Sequence, residues 1–233
     1  MKKRTILSIS LTQTEAVYGI CWLVIVQLLL PALLISANAM LGTPLSSAQI
    51  NFLYYLINFT VTAYLFRHFL AQSWKLAVRN LFPVIWYAIL GYLGCDFFTE
   101  LINSLLHSLD PSFFNANNAN VFSLLREEFV LMAVGTVLLV PVAEELLYRG
   151  AIFRRLYDRS PVWAYVISIL LFAAIHVLGY IGTYTPVQLL LAMVQYIPAG
   201  YCLCWCYCQT DTIITPILMH SIVNAATIYS SVR

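Results

Sequence analysis

The stretch VLLVPVAEELLYRG, residues 137–150, decides the fold. An apolar run of the kind found in lipid leads directly into the charged side chains of Glu144, Glu145 and Arg149. Charged groups in hydrocarbon are costly enough that they usually face the interior of a helix bundle or a water-filled cavity. This stretch therefore predicts a membrane helix whose polar face has a function.

Two later apolar stretches also carry isolated polar side chains. ISILLFAAIHVLG, residues 167–179, contains His176, and IITPILMHSIVNAATI, residues 213–228, contains His220 and Asn224. If the three segments converge as helices, they place a carboxylate, two imidazoles and a carboxamide around one point. Such a set can activate a water molecule and stabilise an oxyanion, which indicates a hydrolase that works inside the bilayer.

The composition indicates a polytopic membrane protein. Of the 233 residues, 61% are hydrophobic and 9% are charged, whereas soluble domains average about 25% charged residues. Because a span needs about 20 mostly apolar residues, we predict an all-α bundle of seven transmembrane helices. The predicted spans are residues 16–40, 50–70, 82–106, 128–148, 161–179, 187–208 and 212–231. Residues 1–127 would form an N-terminal part with three spans and a polar loop, and residues 128–233 a catalytic core.

The basic residues indicate the orientation. They precede the first predicted span, separate the second from the third and follow the fourth, whereas loops 41–49 and 178–186 contain none. They are Lys2, Lys3, Arg4, Arg67, Lys75, Arg79, Arg149, Arg154, Arg155 and Arg159. The positive-inside rule then places the N-terminus in the cytoplasm and the C-terminus outside, in a bacterial plasma (inner) membrane. Arg126 and Arg233 are exceptions, and we expect Arg126 at the start of an interfacial helix.

The N-terminus also has features of a signal peptide. A KKR run precedes an apolar stretch that ends in small residues at Ala37, Asn38 and Ala39. However, polar residues 10–15 separate the charges from the apolar run, and that run is as long as a span. We therefore expect an uncleaved first span.

Two other polar features need an account. Residues 107–122, HSLDPSFFNANNANVF, have turn chemistry and predict a loop between the third and fourth spans, which could also cover a lateral opening. Asp96 and Glu100 are spaced i, i+4 in the third span, where they would either pair with arginines or line a water-filled cavity. The cysteines of CLCWCYC, residues 202–208, alternate along a helix and so predict apolar filler, because a four-thiolate metal site needs them on one face.

The adjacent glutamates predict two different roles. Neighbouring helical residues point about 100° apart, so Glu144 and Glu145 cannot share one task. Glu145 and Arg149 are spaced i, i+4 with the acid first, which favours an ion pair and leaves Glu144 free for chemistry. The alternative is that both acids only mark the cytoplasmic end of the fourth span.

The other polar residues also allow two interpretations. His176 follows Phe172 by four residues and shares its helix face, where it could be catalytic or a hydrogen-bonded structural residue. His220 and Asn224 share a face in the same way. The Asn224 carboxamide suits an oxyanion hole, but asparagine also joins membrane helices by hydrogen bonds.

Three motifs carry a family resemblance. EELLYR fits the pattern EExxxR, FAAIH fits FxxxH and HSIVN fits HxxxN, in this order and within apolar segments. In these motifs the chain resembles the CPBP family of intramembrane glutamic endopeptidases, which includes CAAX prenyl proteases and bacteriocin-immunity-type, Abi-like proteins. The resemblance covers residues 128–231 and implies the same transmembrane helical fold.

The resemblance also implies a role for each motif residue. Glu144 would be the general base that activates water, and His176 would help to position or deprotonate that water. His220 and Asn224 would hold the oxyanion of the tetrahedral intermediate. The supporting residues of the site would be Glu145, Arg149 and Phe172.

Two alternatives remain open. A zinc ion could be held by Glu144, His176 and His220, which form an accepted catalytic set. Asn224 is a poor zinc ligand, so we expect no metal and no other cofactor. The expected partners are a membrane-anchored protein or peptide substrate and the lipid bilayer, with no nucleic acid. The alternative function is a non-enzymatic membrane protein: an immunity factor, a maturation scaffold or a transporter.

Overall fold

The computed structural model describes residues 7–231, and within that range the regular elements are all helices. The all-α prediction is therefore confirmed. The helices are α1 (Gln13–Leu28), α2 (Leu30–Ala39), α3 (Ser47–Leu65), α4 (Arg67–Arg79), α5 (Leu81–Leu109), α6 (Ala116–Glu127), α7 (Phe129–Tyr157), α8 (Pro161–Leu178), α9 (Pro186–Gln195), α10 (Ile197–Thr210) and α11 (Ile214–Ser231). The basic residues Lys2, Lys3, Arg4 and Arg233, used to predict the orientation, lie outside the described residues.

The described part of the chain has four helical stretches long and apolar enough to cross a membrane. They are α5, α7, α8 and the stretch Pro186–Thr210, which joins α9 and α10. Helices α1 and α2 meet at a bend of 45° and would together form a fifth. Helices α3 and α11 occupy the two remaining predicted spans without meeting this test. The membrane bundle is thus confirmed, while the count of seven spans stays a prediction.

Two segments predicted as connections are amphipathic helices. Between the second and third predicted spans lies α4, which buries Phe69, Ser73 and Ala77 at intervals of four residues. The polar stretch 107–122 is a loop only between α5 and α6. Arg126 lies in the last turn of α6, where its charge complements the helix dipole, and not at a helix start as we expected.

Helix α7 is longer than predicted and irregular. It continues past the expected end at residue 148 to Tyr157, with π-helical segments at Gly135–Leu139 and Leu146–Arg154. Glu144 and Glu145 lie between these two segments, within the helix. This position is difficult to reconcile with the alternative that they only mark the end of a span. Short π-helical segments inside α-helices often occur at functional sites.

The core forms where α7 meets the helices around it. Helix α10 packs against α5 and α8, α11 packs against α5, and α1 packs against the second π-helical segment. The four cysteines of α10 are buried in this core, and all six cysteines of the chain are free thiols. This burial agrees with their prediction as apolar filler.

The segment ahead of α1 ties one end of the bundle together. The Arg154 guanidinium, at the end of α7, donates to the carbonyl oxygens of Leu7 at 2.9 Å and Ile9 at 2.8 Å. Ser8 donates through its backbone and hydroxyl to the Asp211 carboxylate, in the connection between α10 and α11. The start of the described chain and the ends of α7 and α10 therefore meet.

Candidate active site

The three motifs converge on one open cavity of about 1000 Å³ that is lined by residues from both halves of the chain. Five of the predicted site residues line it: Glu144, Phe172, His176, His220 and Asn224. The other two, Glu145 and Arg149, are fully buried. The convergence that the sequence predicts is therefore present in the structure.

The Glu145 carboxylate joins two of the motifs. Its Oε1 atom accepts a hydrogen bond from the Arg149 guanidinium at 3.0 Å, as the i, i+4 spacing predicts. The same oxygen lies 2.9 Å from Nδ1 of His220 on α11, a contact that sequence reasoning missed. Arg149 also donates to the carbonyl oxygen of Gly200 on α10 at 3.2 Å. A buried charge needs such partners, and here three helices supply them.

The Phe172 ring explains why an aromatic residue belongs to this site. The Arg149 guanidinium lies over its face, 4.4 Å from the ring centre, in a cation–π contact. The same ring lies 4.7 Å from the His176 ring and 5.9 Å from the His220 ring. Phe172 thus contacts a residue from each of the three motifs.

His176 is held by its own helix and by a residue that sequence reasoning missed. Its Nδ1 atom lies 2.7 Å from the Phe172 carbonyl oxygen, which can only accept, so Nδ1 carries the hydrogen. A neutral His176 therefore presents Nε2 as a proton acceptor. The Tyr196 ring stacks on the imidazole at 4.2 Å and an interplanar angle of 26°.

Glu144 has the opposite environment to Glu145. Its side chain is half-buried on the cavity wall, and Oε2 has no hydrogen-bond partner among the described residues. Oε2 itself is shielded from water, as Oε2 of Glu145 is, so the partly exposed remainder of the Glu144 carboxyl group is what can meet water in the cavity. This is the property that a general base requires.

The position of Asn224 follows from the irregularity of α7. In the first π-helical segment the Val140 N–H bonds to the carbonyl oxygen of Gly135, and Pro141 has no N–H. The Thr136 carbonyl would accept from the N–H of residue 140 in an α-helix and from that of residue 141 in a π-helix. The first N–H is used by Gly135 and the second does not exist, so Thr136 has neither donor. Nδ2 of Asn224 supplies the missing hydrogen bond at 2.8 Å. The interhelical contact expected of asparagine is present, and a second N–H remains on Nδ2.

The other cavity walls come largely from the N-terminal half, where no motif was found. Asp96 and Glu100 of α5 line the cavity. Of the two roles expected for them, pairing with arginines or lining a cavity, the structure shows the second. Tyr54 and Tyr55 of α3 also line it. Asn115, in the loop before α6, is a wall residue as well, so the polar stretch borders the cavity.

The geometry also bears on metal binding. Within residues 7–231, no group of three His, Cys, Asp or Glu side chains is arranged so that it could hold a metal ion. Glu144, His176 and His220 share the cavity without forming such a group. Whether zinc binds here stays a prediction.

The comparisons with known proteins agree with the motifs. Residues 126–226 match the family model described as type II CAAX prenyl endopeptidase Rce1-like. The matched segment contains all three motifs and runs from the end of α6 into α11. No curated protein and no solved structure matches the chain. The family match confirms the resemblance and supports a CAAX-type intramembrane protease role.

Proposed function

We propose that this chain, whose residues 126–226 match the Rce1-like family model of CAAX prenyl endopeptidases, hydrolyses peptide bonds with water activated by Glu144. The observation that carries the proposal is the partly exposed side chain of Glu144 on the wall of the cavity that the other two motifs also line. His176 and His220 line the same cavity. A carboxylate available to water beside two imidazoles suits general acid–base catalysis.

In the proposed reaction, water binds between Glu144 and His176. Glu144 takes a proton from the water while Nε2 of His176 accepts its other hydrogen in a hydrogen bond, which directs the attacking oxygen. The oxygen adds to the substrate carbonyl and forms a tetrahedral intermediate. Glu144 then returns its proton to the departing amine, so that the peptide bond breaks and the enzyme recovers its starting state.

The oxyanion requires donors, and the two proposed donors differ. Asn224 has a second N–H on Nδ2 that needs no change of protonation. His220 donates through Nδ1 to Glu145, so its Nε2 atom can donate only when the ring is protonated. We therefore assign the larger share of oxyanion stabilisation to Asn224.

The substrate class follows from the family and the membrane location. We propose a membrane-associated protein or peptide, cut by a chain whose N-terminus faces the cytoplasm of a bacterial plasma membrane. At the joined ends of α7, α10 and the segment ahead of α1, Arg154 bonds to Leu7 and Ile9, and Arg155 and Arg159 follow it in the chain, in agreement with the positive-inside rule.

The activity can be tested with purified protein in liposomes. Quenched fluorescent peptides ending in a CAAX-type sequence, with and without a farnesyl group, would be mixed with the wild-type protein and the Glu144→Gln variant. Cleavage by the wild type alone supports the proposal. If the correctly inserted wild-type protein cleaves neither these peptides nor candidate precursors from neighbouring genes, the result contradicts the proposal and favours a non-enzymatic membrane protein.

Chelators test the metal-free mechanism separately. We expect activity to survive exhaustive treatment with a zinc chelator, and metal analysis to find no stoichiometric zinc in active protein. One tightly bound zinc per chain, whose removal abolishes cleavage and whose return restores it, would make Glu144 and the imidazoles ligands instead.

A further inference from the structure

One aromatic residue outside the three motifs is in direct contact with His176. The imidazole contacts two rings, with the ring centre of Phe172 at 4.7 Å and that of Tyr196 at 4.2 Å. The Tyr196 ring is the more nearly parallel of the two, with an interplanar angle of 26° against 57° for Phe172. Tyr196 is therefore the ring that stacks on the imidazole.

Polar side chains hold Tyr196 in turn. Its hydroxyl donates to Oδ1 of Asn115 at 3.1 Å and accepts from Nδ2 of the same residue at 3.0 Å. Asn115 also bonds to Gln195 at 2.5 Å, and Gln195 donates to Asn103 of α5 at 2.6 Å. Asn115 caps the N-terminus of α6, so this network joins the polar loop, α5 and the α9–α10 connection.

The same connection supports the other half of the site. Tyr196 precedes the first turn of α10, and its carbonyl accepts the Gly200 N–H at 3.0 Å. The Gly200 carbonyl in turn accepts the hydrogen bond from Arg149. A Cβ at residue 200 would approach Ile169 of α8 at 3.2 Å, so glycine permits this close packing. One short turn therefore contacts both His176 and Arg149.

We propose that Tyr196 is a positioning residue for His176, which fixes the imidazole plane so that Nε2 faces the reacting water. The proposal rests on the proposed function for the meaning of that orientation. The terminal torsion of a histidine is broad and has two main wells, and the bond from Nδ1 to Phe172 is a single restraint. A stacked ring supplies the second restraint, and Asn115 prevents that ring from turning away.

The test uses three variants and one matched control. Tyr196→Leu removes the stacked ring, Tyr196→Phe keeps the ring and removes the hydroxyl, and Asn115→Ala removes the partner of the hydroxyl. Tyr201→Leu is the control, because it removes an exposed ring from α10 that contacts Tyr165 and not His176. Each variant would be assayed for kcat and KM on the fluorescent peptide that the wild type cleaves.

A spectroscopic measurement makes the test independent of activity. The chain contains four histidines, so selective ¹⁵N labelling of histidine gives few side-chain signals, and His176→Gln identifies the one that matters. We expect the wild-type His176 signal to show the tautomer with hydrogen on Nδ1. In Tyr196→Leu we expect both tautomers or a broadened signal, while Tyr196→Phe keeps most of the wild-type signal.

The kinetic expectation follows the same order. Tyr196→Leu should lower kcat by roughly tenfold to a hundredfold with little change in KM, because small misplacements of a catalytic group have effects of this size. Tyr196→Phe and Asn115→Ala should lower kcat less, and Tyr201→Leu should not. A wild-type tautomer signal and a control-like kcat in Tyr196→Leu would overturn the proposal. A changed tautomer signal in Tyr196→Leu, combined with an active Glu144→Gln, would instead remove the glutamate mechanism and leave the positioning role intact.

Discussion

Glu144 and Glu145 are neighbours on α7 but have opposite environments. Glu145 is fully buried, and one of its oxygens accepts hydrogen bonds from Arg149 and lies against His220. Glu144 lines a cavity, and its side chain is partly exposed there. Because neighbouring helical residues point about 100° apart, one helix can build a bonded face and a reactive face side by side.

The difference shows how the two faces depend on each other. The bonded face connects α7, α8, α10 and α11 through Arg149, Phe172, Gly200 and His220. These contacts fix the turn of α7 that carries Glu144. A rigid support of this kind keeps a catalytic carboxylate in place without direct bonds to it, which would occupy its oxygens.

The largest expected effect comes from the reactive face. Glu144→Gln keeps the size and polarity of the side chain but removes its ability to accept a proton. We expect peptide cleavage to fall by a factor on the order of 10²–10⁴, the usual contribution of a general base. The measurement is the single-turnover rate in liposomes, normalised to folded protein.

Stability separates the two glutamates in the same experiment. Glu144→Gln should unfold at nearly the wild-type temperature, because its carboxylate has few bonds to lose. Glu145→Gln serves as the matched variant and should lower both protein level and melting temperature. Equal stability of the two variants would mean that the bonded and reactive faces are not distinct.

The second effect concerns the bonded face. Arg149→Ala leaves the Glu145 carboxylate buried with a weaker set of partners, so we expect a loss of about 3–5 kcal/mol in the free energy of unfolding. Arg155→Ala is the control, because Arg155 lies in the same helix with an exposed side chain and should change stability by no more than about 0.5 kcal/mol. Chemical unfolding in detergent measures both. Similar values for the two variants would contradict the structural role of Arg149.

The sequence predicted that the polar side chains of the three motifs lie together, and the shared cavity agrees with this. Glu145 with Arg149, Phe172 with His176, and His220 with Asn224 are each separated by four residues, a spacing that fixes their helix face before any tertiary contact forms. Apolar flanks then restrict the polar side chains to the bundle interior. The ion pair and the shared cavity follow from these two rules.

Features outside the three motifs were missed either because their local pattern is not that of a long span or because they depend on tertiary contacts. Helix α4 shows apolar and small residues at intervals of four, Phe69, Ser73 and Ala77, a signal that a search for long spans overlooks. Tyr196 and Asn115 are ordinary loop and cap residues until folding brings α8, α9 and α6 together. The bond between Glu145 and His220 joins residues that are 75 positions apart in the chain.

The third effect tests whether Asn224 belongs to both faces. If its second N–H stabilises the oxyanion, Asn224→Ala should lower turnover on the order of 10²–10³, with little change in KM. Loss of its bond to Thr136 should separately cost about 1 kcal/mol of stability. Rates normalised to folded protein separate the two contributions. An unchanged normalised turnover would remove the oxyanion role and leave only the interhelical bond.

The smallest effect isolates that interhelical bond. Pro141→Ala restores an N–H at a position from which it can reach the Thr136 carbonyl in the π-helical geometry of α7. In this background the Thr136 carbonyl no longer depends on Asn224 alone. We expect Asn224→Ala to cost about 1 kcal/mol less in the Pro141→Ala protein than in the wild type, which a double-mutant cycle measures from the free energies of unfolding.

The opposite outcome of this double-mutant cycle would contradict the role given to Pro141. Costs that simply add would show that the new N–H bonds elsewhere, for example to the Val137 carbonyl, and that the missing donor of Pro141 does not account for the position of Asn224. A non-zero coupling energy would instead show that Pro141 and Asn224, 83 positions apart in the chain, act on the same carbonyl oxygen, that of Thr136. Helix α7, which carries the EExxxR motif, would then be joined to the HxxxN motif at two points. On the reactive face the Thr136 carbonyl that Pro141 leaves free bonds to Asn224, and on the bonded face the Glu145 carboxylate lies against His220.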